Sequence, residues 1–333
     1  MSQKSSPIAV LISDVHFSVH TIDAAVEAMC LAIEDANKYG VSLIVTGDIH
    51  DTKANIRAEC VKALIGCLQR CEQLPIVLVG NHDLINERNA GEHALDFLNG
   101  HCIIVDKMHP FSLGSKKHPV PVILCPYQTD PEEFEVYLRG LPEDMIVLMH
   151  QGLKDSDSGE YLNDKTAISY SSVEHLNVLS GHYHRRQVTG NFQYLGNPYT
   201  LNFGEADHPV KGHHLLFQDG TTQLVENHLR RHVIIELHAP LRISKKHGAR
   251  YGDIVKIKVY GTARELAKLN KDEISRLTGV ASFRLEKIQS DTYEDFVTKE
   301  NKSAEEQFDH LIESLNESAE QKKTLKELWR EIL

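Results

Sequence analysis

Val45-Thr46-Gly47-Asp48-Ile49-His50-Asp51 is the point from which the whole chain can be read. Leu43 to Val45 are aliphatic and β-branched, the composition of a buried strand, and Gly47 ends the run so that Asp48 projects from the strand's carboxyl end. In open α/β sheets that edge is where ligands bind, and a carboxylate with two oxygens can bridge two cations there. The same punctuation recurs. Ile8 to Ile12 runs into Ser13-Asp14-Val15-His16, and Ile76 to Val79 into Gly80-Asn81-His82-Asp83. Met145 to Met149 runs into His150-Gln151, and Val178-Leu179 into Gly181-His182-Tyr183-His184. Each predicted strand would deliver a metal-binding side chain to one sheet edge.

A chain of 333 residues with 41% hydrophobic side chains can bury a large domain plus a smaller one. Its net charge of −11 argues against binding to nucleic acid by bulk attraction but leaves room for a local basic face, so charge alone decides nothing. The six cysteines, Cys30, Cys60, Cys67, Cys71, Cys102 and Cys125, form no CxxC pair, so free thiols in a reducing compartment are expected. Met1 to Pro7 is short and polar, and no apolar run approaches the roughly 20 residues of a membrane span. A soluble, intracellular protein is the expectation. Histidine is abundant at 20 residues, yet His20, His93, His101, His109, His118 and His247 have no partner pattern around them. The strand-end histidines carry the argument.

Thr21 to Tyr39 places Ile22, Ala25, Val26, Met29, Cys30 and Ile33 at helical spacing before a stop at Gly40, and Ala54 to Gln73 predicts a second helix. Strand, helix, strand units in succession argue for parallel pairing. From Ile103 onward, short strands predominate between Gly, Pro and Asp turns: Ile103 to Val105, Val120 to Cys125, Asn177 to Ser180, Phe192 to Leu195, His213 to Phe217 and Thr222 to Val225, with a helix over Pro131 to Leu138. The expected organisation is a domain over 1–229, a small capping domain over 230–290, a polar linker over 291–303 and a helical segment over 304–333. In the capping domain Val255, Ile257 and Val259 should face one way and Lys256 and Lys258 the other. This stretch is basic, with Arg230, Arg231, Arg242, Lys245, Lys246, Arg250, Lys256 and Lys258 against Glu236 and Asp253.

Asp, His and Asn without cysteine suit manganese, iron, zinc or magnesium, with manganese the first expectation. Two cations roughly 3.5 to 4 Å apart can activate a water and neutralise a phosphate's oxygens together, which suits in-line displacement at phosphorus. Phosphoester hydrolysis is therefore the expected reaction. Singly, each histidine is more often structural than a ligand; five strand-end motifs in this order change that balance.

The set DVH, GDIHD, GNHD, MHQ and GHYH, spanning Asp14 to His184, resembles the calcineurin-like metallophosphoesterase superfamily. Within it, His150-Gln151, Gly181 to Arg186, Tyr194-Leu195-Gly196-Asn197-Pro198, Phe203-Gly204-Glu205 and Lys211-Gly212 are similar to the SbcD-type DNA repair nuclease and its bacteriophage counterparts. The resemblance implies an α/β fold of two mixed sheets packed face to face with flanking helices, plus a small α+β capping domain and a C-terminal helical segment. It implies that Asp14, His16, Asp48 and His184 hold one divalent cation, that Asp48, Asn81, His150 and His182 hold the other, and that Asp48 bridges. His82 would orient the phosphate or protonate the leaving oxygen, with Asp83 bracing His82. His50 departs from the aromatic residue often found there, and packing beneath the site is its expected role. Arg185, Arg186, Lys245 and Lys246 are the expected DNA contacts.

The implied activity is that of an exonuclease on duplex ends and an endonuclease on single-stranded DNA, in repair, recombination and replication. It would be the nuclease subunit of a complex with an SMC-like ABC ATPase, a homodimer within that complex, in a bacterial or phage-infected cytoplasm and without membrane contact. A phosphatase or small-molecule phosphodiesterase of the same superfamily is the alternative. Phe308, Leu311, Ile312, Leu315, Leu325, Leu328 and Trp329 form an apolar helical stripe for the ATPase partner, or for this protein's own surface.

Overall fold

The computed structural model describes residues 6–51, 56–86, 92–157, 164–243 and 248–289. The expected linker 291–303, the segment 304–333 with Phe308, Leu311, Ile312, Leu315, Leu325, Leu328 and Trp329, and the basic pair Lys245 and Lys246 lie outside the described residues. The chain divides into two compact units, one built on residues up to His232 with Gly252–Ile254, the other on Val233–Tyr251 and residues from Val255 onward.

The first unit begins β1 (Ala9–Ile12), α1 (Ile22–Tyr39), β2 (Ser42–Val45), α2 (Ala58–Leu68), β3 (Ile76–Leu78) and β4 (Ile103–Val105). It continues β5 (His109–Ser115), β6 (His118–Cys125), α3 (Pro131–Arg139), β7 (Ile146–His150) and β8 (Asn177–Gly181). It ends β9 (Gln187–Thr189), β10 (Phe192–Tyr194), β11 (Gly212–Leu216) and β12 (Thr222–Glu226). Two six-stranded sheets result, ordered β12-β11-β1-β2-β3-β4 and β5-β6-β7-β8-β10-β9. Both are mixed: β1 to β4 run parallel with β11 and β12 antiparallel, and β6, β7, β8 and β10 run parallel with β5 and β9 antiparallel.

Period-two geometry explains why the central strands read as unbroken apolar runs. Ala9 and Leu11 of β1 face the second sheet, where they meet Leu124, Leu148 and Leu179; Val10 and Ile12 face α1 and α2. On the second sheet, Val147, Met149 and Val178 turn outward to Phe134 and Leu138 of α3. The layers are helix, sheet, sheet, helix, and each fully buried leucine between the sheets contributes about 1.5–3 kcal/mol relative to exposure. Helix α1 packs through Ala24, Ala25, Ala28, Met29, Ala32, Ile33 and Ala36, small side chains that let it lie close to the sheet. Gly40 ends it at φ 64°, donating to the carbonyls of Ala36 and Asn37.

Two features differ from the expectation. Strand β5 and the start of β6 form a hairpin that the sequence conceals, because His109-Pro110-Phe111-Ser112 and His118-Pro119 are edge residues, mostly exposed, where prolines and polar side chains are tolerated. Helix α2 runs from Ala58 to Leu68, within the expected Ala54 to Gln73; Arg70 and Cys71 already form a turn on the carbonyls of Cys67 and Leu68.

The second unit holds β13 (His232–His238), β14 (Arg242–Ile243), β15 (Ile254–Gly261), α4 (Ala263–Ala267), α5 (Lys271–Thr278) and β16 (Arg284–Gln289), in a sheet ordered β14-β13-β15-β16. Val255, Ile257 and Val259 are buried with Ile235, Leu237, Leu266 and Ile274, while Lys256 on the other face pairs with Glu286 at 3.6 Å. A reciprocal capping box between Thr262 and Glu265 starts α4. No helix among the described residues is long and apolar enough to cross a membrane.

Candidate metal centre

The five motifs do not meet at one sheet edge, as the strand pattern had suggested, but at the carboxyl ends of strands from both sheets. Asp14 and His16 follow β1, Asp48 follows β2 and Asn81 follows β3, all in the first sheet; His150 ends β7, and His182 and His184 follow β8, in the second. Backbone bonds lock the loops together: Asp14 N–H donates to the Gly47 carbonyl at 3.2 Å and His16 N–H to the Asp48 carbonyl at 3.1 Å. Two bonds tie the sheets across the site, His150 Nδ1 to the Thr46 carbonyl at 2.7 Å and His182 N–H to Asp14 Oδ1 at 3.0 Å.

Backbone strain is concentrated here. Asp14, His16, Asp48 and His182 have φ of 52°, 49°, 50° and 88°, in the left-handed region that side chains other than glycine rarely occupy. Close approach also demands glycine. A Cβ on Gly47 would fall on the His150 ring, and one on Gly80 would fall on the Asp48 backbone and carboxylate.

Ligand atoms of Asp14, His16 and His184 lie within 4.8 Å of one another, as do those of Asp48, His150 and His182. Asp48 Oδ2 is buried between the two groups, with His16 Nε2 at 3.8 Å and His150 Nε2 at 3.3 Å, and it accepts no hydrogen bond among the described residues. Asp48 Oδ1 is engaged by His82 N–H at 2.8 Å. Asn81 Oδ1 sits 3.0 Å from His150 Nε2 and 2.9 Å from His182 Nδ1. With His150 Nδ1 committed as a donor to Thr46, its Nε2 is the nitrogen left to face the two oxygens, and a cation arriving there would take the place of a proton. An orphaned buried carboxylate oxygen amid converging imidazole nitrogens and oxygens is what a divalent cation satisfies, so these residues fit the two positions that the resemblance implies.

Four acidic or basic groups not singled out as functional in the sequence surround the histidines. Glu205 Oε1 accepts from His184 Nδ1 at 3.0 Å, and its Oε2 accepts from Asn197 Nδ2 at 2.8 Å and from the buried Lys211 Nζ at 3.0 Å. Asp164 Oδ2 accepts from His182 Nε2 at 3.1 Å and from Tyr183 Oη at 3.2 Å. Asp51 Oδ1 lies 3.5 Å from His16 Nδ1, and its carbonyl accepts from His82 Nδ1 at 2.7 Å. The only sequence signal for Glu205 and Lys211 was the resemblance of their short motifs; Asp164, in a polar loop 14 residues beyond His150 by number, carried none.

The electrostatics follow from burial and neighbours. Burial alone would raise the Asp48 carboxyl, but the imidazoles of His150, His82 and His16 hold it well below the usual carboxylate range. Burial would lower His150, and the Asp48 and Asp14 charges and the Thr46 carbonyl overcome that and raise it to about 9. Glu205 falls to about 2, because His184, Lys211 and Asn197 outweigh its desolvation.

Asp83 does not brace His82. It is buried and accepts from the backbone N–H groups of Gly80 at 2.9 Å and His50 at 3.2 Å, so it clamps two ligand loops; burial and the nearby Asp48 charge raise it to about 7. His82 is braced by the Asp51 carbonyl instead. His50 packs as expected, 2% exposed and tilted against Phe97 with 5.5 Å between rings, and desolvation pushes it down to about 4.

A cleft of about 820 Å³ opens over the site, lined by His16, His82, His184, Arg185, Asp157 and Asn202 among others. Arg185 is held there by Asp157 and, at 2.8 Å, by Asp207. Arg186 is exposed and lines a separate cavity of about 200 Å³ beside Asn197 and Lys211. Lys245 and Lys246 lie outside the described residues.

The chain belongs to the calcineurin-like phosphoesterase family, whose profile matches residues 9–186. Fold, donor set and family together define a metal-dependent phosphoesterase of the two-sheet α/β type. No curated protein matches the chain.

Proposed function

We propose that this phosphoesterase is a DNA nuclease, an exonuclease on duplex ends and an endonuclease on single strands. One observation carries the reading: Asn197, Glu205 and Lys211, from the short motifs similar to the SbcD-type nuclease, are the groups that hold His184 in the site. Bound divalent cations, manganese first among them, would activate a water and neutralise the phosphate's oxygens for in-line attack. The protein's own part is positional. Asp48 presents its free oxygen between the two ligand groups. His82, with Nδ1 committed to the Asp51 carbonyl, keeps Nε2 for the phosphate or the leaving oxygen. Arg185 and Arg186, with Lys245 and Lys246 of the basic stretch, are proposed to meet the phosphate backbone.

In this reading residues 230–290 cap the nuclease domain and help seat DNA. The stripe from Phe308 to Trp329 docks as a helix on an SMC-like ABC ATPase, with the nuclease a homodimer within that complex. The second reading, a phosphatase or small-molecule phosphodiesterase, is favoured by a specific feature: Asp157 and Asp207 already neutralise Arg185 at the cleft. Purified chain with manganese should be offered end-labelled duplex DNA, circular single-stranded DNA and a chromogenic phosphodiester. The nuclease reading expects shortening of both DNAs; turnover of the chromogenic ester with both DNAs intact would select the alternative.

A further inference from the structure

His182 and His184 leave the same strand end two residues apart and present opposite ring nitrogens to the site. His182 turns Nδ1 inward to Asn81 Oδ1 at 2.9 Å and Nε2 outward to Asp164 at 3.1 Å. His184 turns Nε2 inward, 3.1 Å from His16 Nε2, and Nδ1 outward to Glu205 at 3.0 Å. A neutral imidazole has one N–H, and a carboxylate is its strongest acceptor, so each acid draws the proton to the outward nitrogen and leaves the inward one a lone pair.

We propose that Asp164 and Glu205 are positioning residues that fix the two histidines in opposite tautomers, each governing one cation position. The proposal rests on the metal-centre reading above. Glu205 acts within a built network: Lys211, 5% exposed, donates to Glu205 Oε2 and at 3.2 Å to the His184 carbonyl, and it also bonds Asn197 Oδ1. The network therefore holds both the ring and the backbone of His184. Asp164 has neutral company instead, with Thr166 donating through N–H at 2.9 Å and Oγ1 at 2.6 Å, and Tyr183 Oη donating beside His182. Partners of this kind set ligand orientation and basicity, and losing one typically costs about 10- to 100-fold in metal affinity.

Because removing Glu205 alone would strand a buried ammonium, the test removes both charges. The full chain, stripped by chelator, is titrated calorimetrically with Mn²⁺, and its imidazole ¹⁵N spectra are recorded metal-free. The parent should take two equivalents and show His184 as the Nδ1–H and His182 as the Nε2–H form. Glu205→Met/Lys211→Met should weaken one equivalent by about 10- to 100-fold, leave the other in place and turn His184 into a tautomer mixture. Glu205→Gln/Lys211→Met, whose amide oxygen still accepts from Nδ1, should restore the tautomer and part of the affinity. Asp164→Leu should weaken the other equivalent and scramble His182 alone, and it decides the matter should the double variant fail to fold. Two parent-like equivalents in the methionine variant, or no recovery with glutamine, would overturn the proposal. A parent that takes no Mn²⁺ would instead bring down the metal-centre reading, and the proposal with it.

Discussion

His214 makes the stability of the first unit depend on pH, and the size of the effect can be worked out. It lies in β11, 1% exposed, with Nε2 donating to the Leu195 carbonyl at 3.0 Å and Nδ1 buried without a partner among the described residues. Burial pushes its pKa down to about 4; the Leu195 bond opposes this, and the Arg186 charge and His213 add to it. The unfolded chain should titrate near 6.5. The folded pKa is depressed, so the folded state keeps the ring neutral while the unfolded state takes up a proton below 6.5. Stability is thus fully present above about 6.5 and lost as pH falls toward 4. At ~1.4 kcal/mol per pH unit the full loss is ~3 kcal/mol, of which ~2 kcal/mol falls between pH 7.5 and 5.0. Urea unfolding of chelator-treated protein at those two pH values measures it. His214→Gln keeps an N–H for Leu195 but does not titrate, so its loss of stability on acidification should be smaller than the parent's by ~2 kcal/mol. Equal losses in parent and variant would refute the reasoning.

Three further outcomes concern the site. Asp48→Asn should fold, bind neither cation tightly and retain under a tenth of the manganese-dependent hydrolysis, because an amide is a neutral, poorer bridge; greater residual activity would contradict the bridging role. His82→Gln should keep its metal content and lose about 10²- to 10⁴-fold in turnover, the scale of a positioned acid or base; a lost cation, by metal analysis, would make His82 a ligand. Arg185→Glu/Arg186→Glu should lower the logarithmic salt slope of DNA binding by about 0.9 per phosphate contact removed while sparing a small chromogenic ester; an unchanged slope would move the DNA path elsewhere.

The sequence by itself determined which side chains stand at strand ends. Glycine or histidine within two residues after Val45, Val79, Met149 and Leu179 marks the end of a buried run, and that local signal survives folding because strand periodicity and turn chemistry act over a few residues. It also determined the stop of α1 at Gly40 and the inward face of β15. Tertiary structure decided what no local signal encodes: that the runs divide between two sheets, that His82 leans on the Asp51 carbonyl while Asp83 clamps backbone, and that Arg185 is held by two acids. It alone brought Asp164 to His182 across 18 residues and Glu205 to His184 across 21, and put Lys211 against Glu205 and the His184 carbonyl. Those groups come from loops whose sequence has no period, and a charge in a loop looks the same to the chain whether it ends in water or against an imidazole. Only the packing of one sheet on the other removes the water and makes the difference.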